Sequence, residues 1–238
     1  MRVRLTLTAL GLTAAALTLP ACSADTSQAK STSPSSAPAG HPATTKQTTI
    51  TKQSDAPLSS AALQPRLLDE SDLGPDYNRK PEDTSSHDDV TVTGCPALEK
   101  LGGDAAAGGS LGFPNKAKVS FTYTGGSVGS EVSEELYSDT STKLSVGIGR
   151  IFDAMTGCPT YQVVSGSTAI NVTSQKTTAP RLGDQQWSQL MTFTSGGQDS
   201  VVKQTAIREG SLLLIVSGAP ALVDQHLDKA LAKATATR

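Results

Sequence analysis

The residues able to do chemistry in this sequence are few and widely spaced. Two stretches match the G-x-S-x-G pattern of an activated serine: Gly108-Gly109-Ser110-Leu111-Gly112 and Gly125-Gly126-Ser127-Val128-Gly129. A serine of that kind needs a strand before it and a helix after it, so that the turn exposes its hydroxyl. The first match lies in a Gly/Ala-rich loop. The second lies between two strand patterns and reads as a hairpin connection. A triad also needs a histidine, and the only one after either match is His226, on the apolar stripe of a terminal helix. With 21 glycines in the chain, such matches arise by chance. No catalytic residue is assigned, and the chain reads as a non-enzyme.

Other patterns carry as little. His87-Asp88-Asp89, with Glu82 and Asp83 nearby, offers oxygen ligands to a cation. The spacing fits no defined calcium loop, and a solvated acidic loop accounts for the same residues, so neither a metal nor a cofactor is expected. Gly147-Ile148-Gly149 lacks the third glycine and the preceding strand of a dinucleotide fingerprint. Asn171-Val172-Thr173 spells an N-glycosylation sequon inside a strand pattern. Trp187, the only tryptophan, opens a strand after Leu182-Gly183-Asp184. It either stacks on a ligand or anchors the sheet; with Tyr123 it is a candidate to line a binding site.

Cysteine is more informative. Arg2 and Arg4 begin a basic segment, and Leu5 to Leu19 follows without charge. That stretch is too short for a membrane span of roughly 20 apolar residues, but it suits the apolar region of a signal peptide. Leu19-Pro20-Ala21-Cys22 then resembles the lipobox of bacterial lipoproteins, in which the cysteine thiol takes a diacylglycerol and cleavage makes it the new N-terminus. Pro20 stands where that motif usually has Ala, Ser or Thr. The resemblance implies residues 1–21 as a lipoprotein signal peptide, lipidation such as diacylglycerol and palmitate at Cys22, and a partner in the cell membrane. The chain has three cysteines. With Cys22 lipidated, Cys95 and Cys158 remain as one pair in an oxidising compartment, where disulfides persist.

Residues 22–57 are dominated by Ser, Thr, Ala, Pro, Lys and Gln. Such a composition buries too little apolar surface to offset ordering entropy, and it predicts a disordered tether. About 35 residues of flexible coil reach roughly 30–35 Å. The Ser/Thr/Pro content suits either a bare spacer or O-glycosylation. Residues 58–238 have the length of one domain with a proper core. The formal net charge of −2 leaves no electrostatic footprint for nucleic acid.

The elements that must position any site are legible by period. Leu67, Leu68 and Leu73 belong to a short element closed by Gly74-Pro75, and 76–89 reads as polar loop. Pro96 to Leu101 reads as a short helix with Pro in its first turn and Gly102 at its end. Val119, Phe121 and Tyr123 alternate as a half-buried strand, and Val132, Glu134 and Leu136 share one face of the next. Leu144, Ile148, Ile151, Phe152 and Met155 recur at helical spacing, capped by Asp139 or Thr140 and ended by Gly157. Gly147 and Gly149 inside it suggest close packing against a sheet. Strand patterns follow at 161–164, 169–172, 187–194, 201–208 and 212–216 with Gly-containing turns between them. A last helix from Ala221 to about Ala234 carries Leu222, Val223, His226, Leu227, Ala230 and Leu231 on one stripe. Sequential strands with short turns imply antiparallel pairing. The expected fold is α+β: a single twisted antiparallel β-sheet with helices packed on one face, and one disulfide.

This order of elements, with the lipobox, the Thr/Ser tether, Gly94-Cys95-Pro96, a helix ending at Cys158 and Leu182-Gly183-Asp184, resembles a group of actinobacterial cell-envelope lipoproteins. They are similar to the extracellular sensor domain of PknH-type serine/threonine kinases. The resemblance covers most of residues 58–238. It implies a twisted antiparallel sheet with a cleft for an unidentified ligand, on the extracytoplasmic face of the membrane. The kinase sensor domain carries two disulfides, whereas this chain has one available pair, and no kinase domain is present in this sequence. Two functions follow as expectations: a membrane-anchored, non-enzymatic module that binds or senses a small ligand or an envelope protein, and, as the alternative, a lipid or glycolipid carrier, which would require a large apolar cavity.

Overall fold

The computed structural model describes residues 56–81, 90–102, 111–126 and 130–236. Cys22, the acidic group around His87, and both Ser110 and Ser127 lie outside them, as do the expected signal peptide and nearly all of the tether. Helix α1 spans Ser60–Leu63 and runs into a 3-10 turn, Gln64–Arg66; α2 spans Glu70–Leu73. Strands β1 (Tyr77–Arg79) and β2 (Val90–Thr93) precede α3 (Pro96–Glu99). Then come β3 (Asn115–Tyr123), β4 (Glu131–Ser138) and the long helix α4 (Ser141–Gly157). Strands β5 (Thr160–Ser165), β6 (Thr168–Lys176), β7 (Gln185–Ser195), β8 (Gln198–Glu209) and β9 (Leu212–Gly218) lead to α5 (Pro220–Thr235). The strands form one nine-stranded sheet in the order β1-β3-β4-β9-β8-β7-β6-β5-β2. Every neighbouring pair is antiparallel.

The single antiparallel sheet stands as expected, and so does the disulfide: Cys95 is bonded to Cys158, pinning the start of α3 to the end of α4. The helices do not share one face. In β9, Leu212, Leu214 and Val216 pack in one core with Leu222, Val223 and Leu227 of α5. Leu213 and Ile215 pack in another with Leu144, Ile148 and Phe152 of α4. Alternate strand residues point to opposite faces, so α4 and α5 lie on opposite sides of the sheet. The physical reason is the apolar run Leu212-Leu213-Leu214-Ile215-Val216. A strand apolar at every position must be covered on both faces.

The cover is diagonal. Helices α1, α2 and α5 close one face at the β1–β3 end, where Leu63, Leu67, Leu68 and Leu227 are buried. Helices α3 and α4 close the other face toward β5 and β2, burying Leu98, Met155 and Val172. Burying each large aliphatic side chain contributes about 1.5–3 kcal/mol. Both helical stripes read from the sequence are those that pack inward. The N-cap of α4 is Thr140, whose hydroxyl accepts from Lys143 N at 3.4 Å.

Two further expectations are corrected. The 76–89 stretch is not all loop, because Tyr77–Arg79 pairs with Phe121–Tyr123 as an edge strand. Three residues are too few to show a period, and tertiary contacts hold them: the Tyr77 ring lies 4.8 Å from that of Tyr123. Gly147 does pack closely, but against the Phe113 ring rather than the sheet: an added Cβ would come within 2.7 Å of it. Gly149 has open space around it.

Candidate functional site: a polar cleft at one end of the sheet

Strands β3, β4 and β9 each turn apolar side chains to the α5 core. Val119 and Phe121, Val132, and Val216 are all buried there. The alternating positions between or beside them must face the other way, and one in each strand is a serine: Ser120, Ser133 and Ser217. Ser120 pairs with Ser133 across β3 and β4, and Ser133 pairs with Ser217 across β4 and β9. Directly opposed residues in an antiparallel sheet lie about 5 Å apart, so the three form a row of half-buried hydroxyls. The start of β8, Asp199 to Val202, and the Gly218-Ala219 corner supply walls for a cleft of about 530 Å³.

The corner depends on glycine. Gly218 has φ 145°, and a Cβ on it would sit 2.1 Å from the Glu131 carbonyl oxygen. Only glycine lets the end of β9 lie against β4. Ala219 N then donates to that same carbonyl at 2.9 Å as the chain enters α5.

The charged groups at the cleft are already paired within the protein. Lys118 Nζ lies 2.8 Å from Glu135, and Glu131 lies 2.6 Å from Lys80. Asp199 accepts from the Thr194 hydroxyl at 2.6 Å. The hydroxyl of Ser133 donates to the Ser217 carbonyl at 3.3 Å. Beyond Ser217 the polar row continues under α4: Ser217 pairs with Gln204. Gln204 accepts from fully buried Gln189 at 2.9 Å, and Gln189 accepts from Ser174 at 3.1 Å. The cleft therefore offers a neutral, hydrogen-bonding floor with hydroxyls that both donate and accept.

The other candidates lie elsewhere. Trp187 is half-buried against Phe152 of α4, with ring centroids 6.3 Å apart. Tyr123 stacks on Tyr77 at the β1 edge, on the opposite face. The structure does not bring these two together, and neither lines the cleft. His226 is 5 % exposed and lies under α5, its Nε2 2.6 Å from the Tyr77 hydroxyl. Burial lowers its pKa, which favours the neutral imidazole. Among the described residues no three His, Cys, Asp or Glu side chains are grouped to hold a metal. Leu182-Gly183-Asp184 is structural: Gly183, at φ 62°, packs against the Arg208 carbonyl where a Cβ would come within 2.7 Å. Asp184 then accepts from Arg208 and from Gly210 N, both at 2.9 Å.

Glu134 was legible only as a member of the apolar face of β4. It is 1 % exposed; one carboxyl oxygen accepts from Leu68 N at 2.6 Å and the other has no hydrogen-bond partner. Burial pushes its pKa up to about 8, which makes it a neutral acid at pH 7.

Comparison with known proteins places this geometry. The fold is similar to that of the extracellular domain of PknH from Mycobacterium tuberculosis: TM-score 0.55 at 14% identity, covering 76% of this chain and 98% of that one. A weaker likeness, TM-score 0.40 at 11% identity, links 70% of the chain to 93% of a Rv0999 ortholog from Mycobacterium smegmatis. No protein-family model matches the sequence, and no curated protein does. The chain thus has the fold of the PknH extracellular domain, with the resemblance read from its sequence shown at the level of fold. Among the described residues no helix is long and apolar enough to cross a membrane.

Proposed function

We propose that this chain is a non-enzymatic extracytoplasmic lipoprotein, anchored through Cys22, whose domain binds or senses a ligand in the serine-floored cleft. The observation that carries the reading is the cleft itself. Its hydroxyls sit on three adjacent strands inside the sheet, Lys118 and Glu131 at its wall are held in ion pairs, and it is about the size of small-molecule sites. The shared fold with an extracellular domain supports the location. The lipobox-like Leu19-Pro20-Ala21-Cys22 supports the anchor. Non-enzymatic action is supported by the sequestration of His226 on the far face, where no cleft serine can reach it.

The anchor is tested by intact mass of the protein extracted from membranes. A mature chain starting at a diacylglyceryl-modified Cys22 is expected, with Cys22→Ser released to the medium. An unmodified thiol there would contradict it. The cleft is tested by thermal denaturation with fractionated envelope extract. A ligand of the native state raises Tm by mass action. Fractions should raise Tm of the wild type and leave Ser133→Trp, whose ring fills the cleft, unchanged. Equal shifts in both would move the site elsewhere.

A further inference from the structure

The chain enters the domain at a defined place. Leu58 N donates to the Ser138 hydroxyl at 2.8 Å, and the Ser211 hydroxyl donates to the Ala56 carbonyl at 3.3 Å. Ser138 is the last residue of β4 and pairs with Leu212, the first of β9. The serine-floored cleft lies at Glu131 and Gly218, the other ends of the same strands. Eight residues of β4 separate the two, roughly 25 Å at the usual rise per residue. The entry point of the tether and the cleft are therefore at opposite ends of the sheet.

At the entry end, on the α4 face, lies a second, open groove of about 610 Å³. Its apolar surface comes from half-buried Phe113, from Pro114 and from Val146, which at 55 % is the most exposed large aliphatic side chain described. Cations frame it. Lys143 and Arg150 stand one turn to either side of Val146 on α4, and exposed Lys116, the second residue of β3, follows Pro114 by two positions. The groove's one carboxylate, Asp139, is nearly buried; it accepts from Thr140 N at 2.7 Å and lies 3.4 Å from Lys143. Lys116 and Arg150 have no acidic partner among the described residues. The patch is apolar at its centre, net positive at its rim and next to the chain's entry.

We propose that the groove of Phe113, Pro114 and Val146, framed by Lys116, Lys143 and Arg150, is a contact surface for an anionic lipid bilayer, which stands the domain on the membrane with its cleft facing outward. The inference rests on the anchor reading for its setting. A basic rim is drawn to anionic headgroups within a Debye length, and the exposed apolar centre enters the interface. A short tether raises the effective concentration of the surface, so a weak patch suffices.

The test uses the mature chain from residue 22, coupled through Cys22, its only free thiol, to a maleimide lipid in vesicles. It does not require that cells lipidate Cys22, so failure of the anchor reading shows separately, in the intact mass. Acetylation rates of Lys143 and of Lys229, half-exposed on α5 across the sheet, are compared on phosphatidylglycerol and phosphatidylcholine vesicles. Lys143 should slow several-fold on phosphatidylglycerol while Lys229 does not change. The effect should weaken in high salt and vanish in Val146→Asp/Arg150→Glu, both exposed substitutions that spare the core. Equal rates of Lys143 on the two lipids, or slowing of both lysines together, would overturn the proposal.

Discussion

Glu134 and Gly218 are the two residues on which single changes should act most sharply. The Glu134 carboxyl is protonated in both folded and unfolded chains below about 4.5, its ordinary value, so its contribution is fully present there. As pH rises toward about 8 the unfolded chain releases that proton while the folded chain keeps it. Stability should fall across this window, by an amount on the order of 4 kcal/mol at its upper end. Glu134→Gln keeps an acceptor for Leu68 N and removes the titration. Urea denaturation at pH 5, 7 and 9 should therefore show a sloping wild type and a much flatter variant; parallel slopes would place the carboxyl in water. For Gly218→Ala, the added methyl meets the Glu131 carbonyl, so β9 must move away from β4. A loss of roughly 3 kcal/mol or more is expected in thermal denaturation, in the range of strained-backbone substitutions. Neither role was open to the sequence. Glu134 reads as one polar residue in an alternating strand, and Gly218 as one more turn glycine; only the cross-strand register shows what each meets.

At the scale of elements, period carried most of the information. Strand β3 was visible because Val119, Phe121 and Tyr123 alternate, and α4 and α5 because their stripes recur at helical spacing. What period does not carry is which side of a sheet a stripe covers. The apolar run 212–216 held that signal, since only a strand covered on both faces can be apolar throughout. The serine row was hidden for a related reason. Ser120, Ser133 and Ser217 each look like a solvated strand position, and only the pairing shows them aligned in one row. Cysteine arithmetic did reach the disulfide, which closes 63 residues and joins α3 to α4. The Cys95→Ser/Cys158→Ser variant should lose up to about 4 kcal/mol. Hydrogen exchange should locate the loosening in the core of Val92, Leu98, Met155 and Val172, with the α5 core retained. Uniform loosening of both cores would mean that the sheet unfolds as one unit.

At the scale of the whole molecule, the two covers overlap at β9 and extend from it in opposite directions along the sheet. One open region, beside β3, β4 and β9, is the floor of the cleft. The chain enters at the far end of those strands, so an anchored domain presents the cleft away from its own attachment. The sequence pointed to Trp187 and Tyr123 as aromatic contacts for a ligand; neither lines the cleft, whose floor is a row of hydroxyls. A carrier of lipid would need an apolar cavity, and the serine floor is the wrong chemistry for acyl chains. The most direct measurement is native mass spectrometry of the protein purified from its own envelope, wild type beside Ser133→Trp. A bound species of defined mass is expected on the wild type and absent from the folded variant. The same species on both proteins, or a bare mass for the wild type, would contradict it.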